Sequence, residues 1–141
     1  MTIVQWLLLP AFVHVFWLLF LARRMGTARV QAVKAGQVNI RDVALDNSRW
    51  PDEIRKLSNN YDNQFQLPML FYAILPLLIL LVKVDWFSVV LAWVFIASRI
   101  VHSVIHTGDN VVLNRFRAFV FGFITLVTLW AWFALRLYVI G

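Results

Sequence analysis

The stretch Trp86-Phe-Ser-Val-Val-Leu-Ala-Trp-Val-Phe-Ile-Ala-Ser-Arg99-Ile-Val-His102-Ser103-Val-Ile-His106-Thr107 decides the fold. At about 1.5 Å of rise per residue, its 22 residues are enough to cross a hydrocarbon core of about 30 Å. Its polar members Arg99, His102, Ser103 and His106 are spaced i, i+3, i+4 and i+7, which puts them on one stripe of an α-helix. Arg99 comes 13 residues after Trp86, about 20 Å into the core, so a side chain reaching for the surface has about 10 Å to cover. An arginine at a helix centre costs about 2.5 to 3.5 kcal/mol even on the lenient insertion scale, and a chain that retains one supplies acceptors or a wet cavity. The stretch predicts a spanning helix whose polar stripe faces other helices.

The rest of the chain supplies those helices. Of its 141 residues, 62% are hydrophobic and 14% charged, where a soluble domain runs about 45 to 50% and about 25%. Most of the charges fall between Arg23 and Asp62. A bilayer imposes that segregation, so the net charge of +6 points to loops flanking a membrane rather than to nucleic acid. Residues 3–22 form an uncharged first span; without a basic n-region or a cleavage site it reads as a retained helix. The second apolar run, Leu67 to Val82, has 16 residues and must borrow polar ones to cross, giving a span of 63–82 with Asn63 and Gln66 at the membrane boundary. Trp50-Pro51-Asp52-Glu53 looks like a helix start, so one long helix is predicted from Pro51 to Val82, kinked at Pro68 and Pro76. Residues 86–107 and 118–140 complete an all-α, four-transmembrane-helix bundle, a single domain over 1–141. Its long connection, 23–50, contains a segment, Gly26 to Asn47, that reads as an ordered surface loop; an interfacial helix, a small ribbon or a lid are the alternatives. Both net-positive connections lie on one side of the bundle. The positive-inside rule makes that side the cytoplasm and leaves the N- and C-termini outside.

Two readings of Arg99 stay open. It is a structural tie to carbonyls freed by Pro68 or to the amides of Asn63 and Gln66, or it lines a cytoplasm-facing pocket for a carboxylate or an anionic headgroup. Asn63 and Gln66 share a face of the second helix, as interhelical hydrogen bonds or as ligand contacts. His102, His106 and Asp109 have helical metal-ligand spacing, but Arg99 on the same stripe repels a dication, and no metal site is assigned. Arg115 and Arg117 open the fourth helix, and His14 is read as a packing residue. With no cysteine there is no disulfide, thiolate metal site or protein thiol nucleophile, so thiol chemistry must arrive with a ligand.

These pieces resemble the MAPEG family, the membrane-associated proteins in eicosanoid and glutathione metabolism, which include the microsomal glutathione transferases. The likeness rests on four spans in a short chain, the second helix reading Asn63-Gln-Phe-Gln66-Leu-Pro68, the third reading Arg99-Ile-Val-His102-Ser-Val-Ile-His106, and arginines opening the fourth. The resemblance implies a homotrimer with glutathione or a lipid-like ligand between subunits near the cytoplasmic side, and the expected location is a bacterial inner membrane. Glutathione-using members carry Arg-x-x-x-Asn-x-x-Glu on the second helix. Here Asn63 matches the asparagine, Gln66 replaces the glutamate and Asn59 replaces the arginine, with Lys56 retaining basic character one turn earlier. Arg99 and His102 match the third helix, and His106 stands where tyrosine is frequent. By the same likeness Arg115, or Arg117 if the loop alignment slips, takes the catalytic place beside the glutathione thiol, while Arg99 holds a carboxylate. The expected activity is glutathione-dependent transferase or peroxidase chemistry on a lipophilic electrophile; the alternative is a non-catalytic module that binds a lipid or another membrane protein.

Overall fold

The chain enters its first helix through a capping box: the Thr2 hydroxyl accepts from the Gln5 amide at 3.3 Å, and the Gln5 side chain accepts from the Thr2 amide at 2.7 Å. Helix α1 then runs Ile3–Lys34. The computed structural model describes residues 1–44 and 46–140; Leu45, inside the expected surface loop, and Gly141 lie outside the described residues.

At 32 residues, or about 48 Å, α1 is longer than a hydrocarbon core is thick, and the expectation of a loop beginning at Gly26 is corrected. The last turns hold because they have something to pack on. Ala32 joins Val43, Trp50 and Ile54 in a small second core. Arg29 lies 5.2 Å from the centre of the Trp50 ring and donates to the Ser58 hydroxyl at 2.8 Å. Gly36, at φ +69°, closes the helix with paired bonds from Gly36 N to Val33 O and from Gln37 N to Ala32 O, a Schellman ending.

The single long helix expected from Pro51 to Val82 is instead two, α2 (Asp52–Asn63) and α3 (Leu67–Leu80), separated by a turn at residues 64–66. Pro68 sits in the first turn of α3. It has no amide hydrogen to give the carbonyl four residues back and its ring crowds that carbonyl, so the helix stops and restarts rather than bending. A second Schellman ending closes α3, from Val82 N to Ile79 O and from Lys83 N to Leu78 O. Here a β-branched residue, Val82 at φ 54°, takes the left-handed position.

Asp85 then caps α4 (Trp86–Thr107), its carboxylate accepting from the Ser88 amide at 2.7 Å and the Ser88 hydroxyl at 2.8 Å. A turn containing Asn110 at φ 50° leads into α5 (Val112–Leu135), which ends in a π-helical turn, Arg136–Ile140.

The described residues are all helical apart from turns, and four spans, counting α2 with α3, are long and apolar enough to cross a membrane. Half of the apolar window of α4 is buried against at most a third of the others, which makes α4 the central helix. It packs on α5, α1 and α2. Leu7, Phe71, Ile74, Leu78, Phe95 and Leu129 fill the core, with Phe71 stacked on Phe95 at 5.1 Å. Helices α4 and α5 approach closely at Gly122, where a Cβ would sit 2.6 Å from the Ser98 hydroxyl. Outward, Phe12, Phe16, Leu80 and Ile124 are exposed, as a lipid-facing surface requires.

Candidate functional site

Three helical stripes with the same spacing meet at the basic end of the bundle, the end that carries the long connection. On α2 and the turn after it the stripe is Asn59, Asp62, Asn63 and Gln66; on α4 it is His102 and His106; on α5 it is Val112, Arg115, Phe116 and Phe119. Together they line a cavity of about 520 Å³, within the usual range for small-molecule sites of about 300 to 1,000 Å³. Because α4 packs against both α2 and α5, its histidines form the floor and the other two helices the walls.

The floor is polar and incompletely bonded. His102 and His106 are each 4% exposed, their rings meet edge to face at 5.8 Å, and the Nδ1 atom of each is buried without a hydrogen-bond partner. Buried nitrogen of that kind is uncommon in a finished core; Trp17, Arg29, Arg99 and Arg136 have it too, but at His102 and His106 it borders a cavity, where water or a ligand can complete the bonding. On the α5 wall, Arg115 donates from Nη1 to Asn110 Oδ1 at 2.8 Å. Asn110 can do this because asparagine tolerates the left-handed backbone of the preceding turn.

Arg99 does not line the cavity. It is 1% exposed, and its Nη2 donates to the Asn63 carbonyl at 3.1 Å, while Nε and Nη1 are buried without partners. That carbonyl belongs to the last residue of α2, where the helix dipole favours a cation. The guanidinium therefore lies behind Asn63 and ties the end of α2 through the Asn63 backbone carbonyl, rather than through a carbonyl freed by Pro68 or the side-chain amides of Asn63 and Gln66. Two further candidates fall elsewhere. Lys56 pairs with Glu53 at 2.8 Å and is absent from the cavity lining. Arg117 lines a separate groove with Val94, Ala97, Val101 and Phe121.

A second polar group, buried between α1, α2 and α4, supports the site from behind. His14 lies 2.9 Å from the Tyr72 hydroxyl and 3.3 Å from Gln64 Oε1, and Asn60 donates to Ser103 at 2.8 Å. His14 is thus a bonded packing residue that pins the α2–α3 break. Asp62, Val112, Phe116 and Phe119, which line the cavity, and Asn110, which holds Arg115, carry no motif that singles them out in the sequence. Only helical spacing marks Asp62, which shares the i, i+3, i+4, i+7 pattern with Asn59, Asn63 and Gln66.

No similarity to a curated protein or to a solved structure was found. The model of the MAPEG family matches residues 7–135, a stretch that includes all the cavity-lining residues. The chain belongs to the MAPEG family.

Proposed function

We propose that this protein binds glutathione at its basic end and uses it on a lipophilic electrophile that arrives from the bilayer, as a transferase or peroxidase. The observation that supports this reading is the junction of two unlike spaces. The polar cavity reaches Gln66 and Phe119; one residue on and one helical turn on, Leu67 and Phe123 begin an apolar groove of about 410 Å³ between α3 and α5, with Leu70, Leu126 and Trp130. A water-soluble tripeptide suits the first and a lipid-soluble co-substrate suits the second.

The residues present fit glutathione. Asn59, Asn63 and Gln66 offer amides to its peptide groups, Arg115 offers a cation, and the unbonded Nδ1 atoms of His102 and His106 offer further partners. Bound glutathione supplies the thiol that this cysteine-free chain lacks. Arg115, held by Asn110, would stabilise the sulfur as thiolate, since a nearby cation lowers a thiol pKa. Phe116 and Phe119 would shield that sulfur from water, and Arg99 positions Asn63 without touching the ligand. The family resemblance supports a homotrimer with the cavity between subunits, and the loop charges support an orientation with the basic end in the cytoplasm. Single cysteines placed at Gly36 and Val139 of this cysteine-free chain should label from opposite sides; labelling from one side would refute that topology.

Calorimetry on the purified protein in detergent tests the main reading. Saturable glutathione binding is expected, weakened about tenfold or more in Arg115→Ala through loss of a charge-assisted contact. No saturable binding, or binding unaffected by the substitution, would sink it. The apolar groove, taken with the two motif charges replaced by Asn59 and Gln66, also favours a second reading, a non-catalytic module that holds a lipid or another membrane protein. A lipid retained in native mass spectrometry that glutathione does not displace would select it.

A further inference from the structure

The cavity contains one carboxylate. Asp62 sits on the α2 wall among the lining residues. Among the described residues it makes no ion pair, a state it shares with Asp109 outside the cavity, whereas Asp42, Asp46, Asp52, Glu53 and Asp85 all do. Arg115 stands on the α5 wall and spends one Nη on Asn110, so the cavity keeps one negative and one positive group apart on walls that flank the same floor. The unbonded Nδ1 atoms of His102 and His106 belong to that floor, which marks the space as one a polar guest completes.

We infer that Asp62 is the specificity-determining residue that selects a ligand bearing a primary ammonium beside an anionic group. The charges dictate this class. A purely anionic ligand would meet Asp62 and be repelled; a purely cationic one would meet Arg115; a zwitterion satisfies both, with the ammonium donating to the Asp62 carboxylate and the anion accepting from Arg115. Gln66 carries no charge, so Asp62 is the group on the α2 wall that can neutralise an ammonium. Glutathione belongs to this class and so does an aminophospholipid headgroup, whose acyl chains would find the groove that starts at Leu67. The inference rests on the cavity being a ligand site, and its test separates the two sources.

Binding of two matched pairs of probes to the full chain in detergent measures it: glutathione against N-acetylglutathione, and phosphatidylethanolamine against its N-acetylated form. Acetylation removes the ammonium and leaves the rest of each probe. Wild-type protein should prefer the amine-bearing member of a pair about tenfold, as expected for one hydrogen bond to a charged group in a partly open site. Asp62→Asn should bind both members equally, and Asp62→Glu should restore the preference. The exposed position of Asp62 lets both variants fold, which matching unfolding midpoints would verify. If Asp62→Asn binds glutathione and keeps the preference, the assignment of Asp62 is overturned while glutathione binding survives. If neither glutathione probe binds, but the lipid pair is discriminated by wild type and not by Asp62→Asn, the assignment stands and the glutathione proposal falls. Failure of wild type to bind any of the four probes overturns both.

Discussion

The two ends of the α4–α5 pair use polar residues in opposite ways. At the end near Asp85 the groups gather on one carboxylate: Asp85 accepts from Ser88 and from the Trp132 indole at 2.8 Å, and Arg136 Nε lies 3.6 Å away, in ion-pair range but without a hydrogen bond. At the basic end, His102 and His106 keep buried nitrogens without partners on the floor of the cavity. A cluster built around its own counter-ion fastens helices together. An open one costs about 1 to 3 kcal/mol for each unbonded group, a cost that a bound ligand can remove. The difference separates a fastener from a site, and substitutions at the two ends should therefore fail in different measurements.

Arg99 tests the division most severely, because it borders the site and also ties α2. Arg99→Ala should lose about 3 kcal/mol of stability through the void and the orphaned Asn63 carbonyl, read as a lower unfolding midpoint in detergent, and should weaken glutathione binding as Asn63 loosens. Unchanged stability would show that the tie is unimportant and break the comparison.

Asp85→Ala should cost about 1 to 2 kcal/mol through the lost cap and indole bond and leave glutathione binding alone. The charge can be isolated with Asp85→Asn. Partial burial alone would raise the Asp85 pKa, but the Ser88 amide and hydroxyl, the Trp132 indole and the Arg136 charge together hold it below its ordinary 3.8. A group with a depressed folded-state pKa stabilises the fold above its unfolded value, and that stability is lost as pH falls through the folded value. Wild type should therefore lose stability in acid below 3.8 more steeply than Asp85→Asn. Parallel melting curves would show that the charge contributes nothing.

Smaller effects sharpen the picture between the ends. Gly122→Ala should cost about 1 kcal/mol by overpacking, because its Cβ displaces the Ser98 hydroxyl from the Phe95 carbonyl, which it reaches at 2.6 Å. Adding Ser98→Ala should recover most of the loss, and failure to do so would place the clash elsewhere. Val82→Gly should instead raise stability by up to about 1 kcal/mol by relieving a left-handed β-branched residue. A fall in the midpoint would mean that the exposed valine side chain has a packing role.

The sequence by itself determined the four-span helical architecture and the sharing of one face by His102 with His106 and of another by Asn63 with Gln66, because both follow from spacing along a helix. An apolar run of membrane length has few folded alternatives, and i, i+3, i+4, i+7 fixes a face. Only the tertiary structure decided which side of that face each group occupies. Arg99 and His102 share a stripe, yet the end of α2 lies over one and leaves the other open. Arg115 and Arg117 are two residues apart and so point to different grooves of α5. The extension of α1 to Lys34 depended on Trp50 and Ile54, more than fifteen residues away in sequence, and Pro68 broke the second span where a kink was equally consistent with the chain. Spacing is a local property that one helix fixes alone, whereas burial and partnership depend on contacts with other helices.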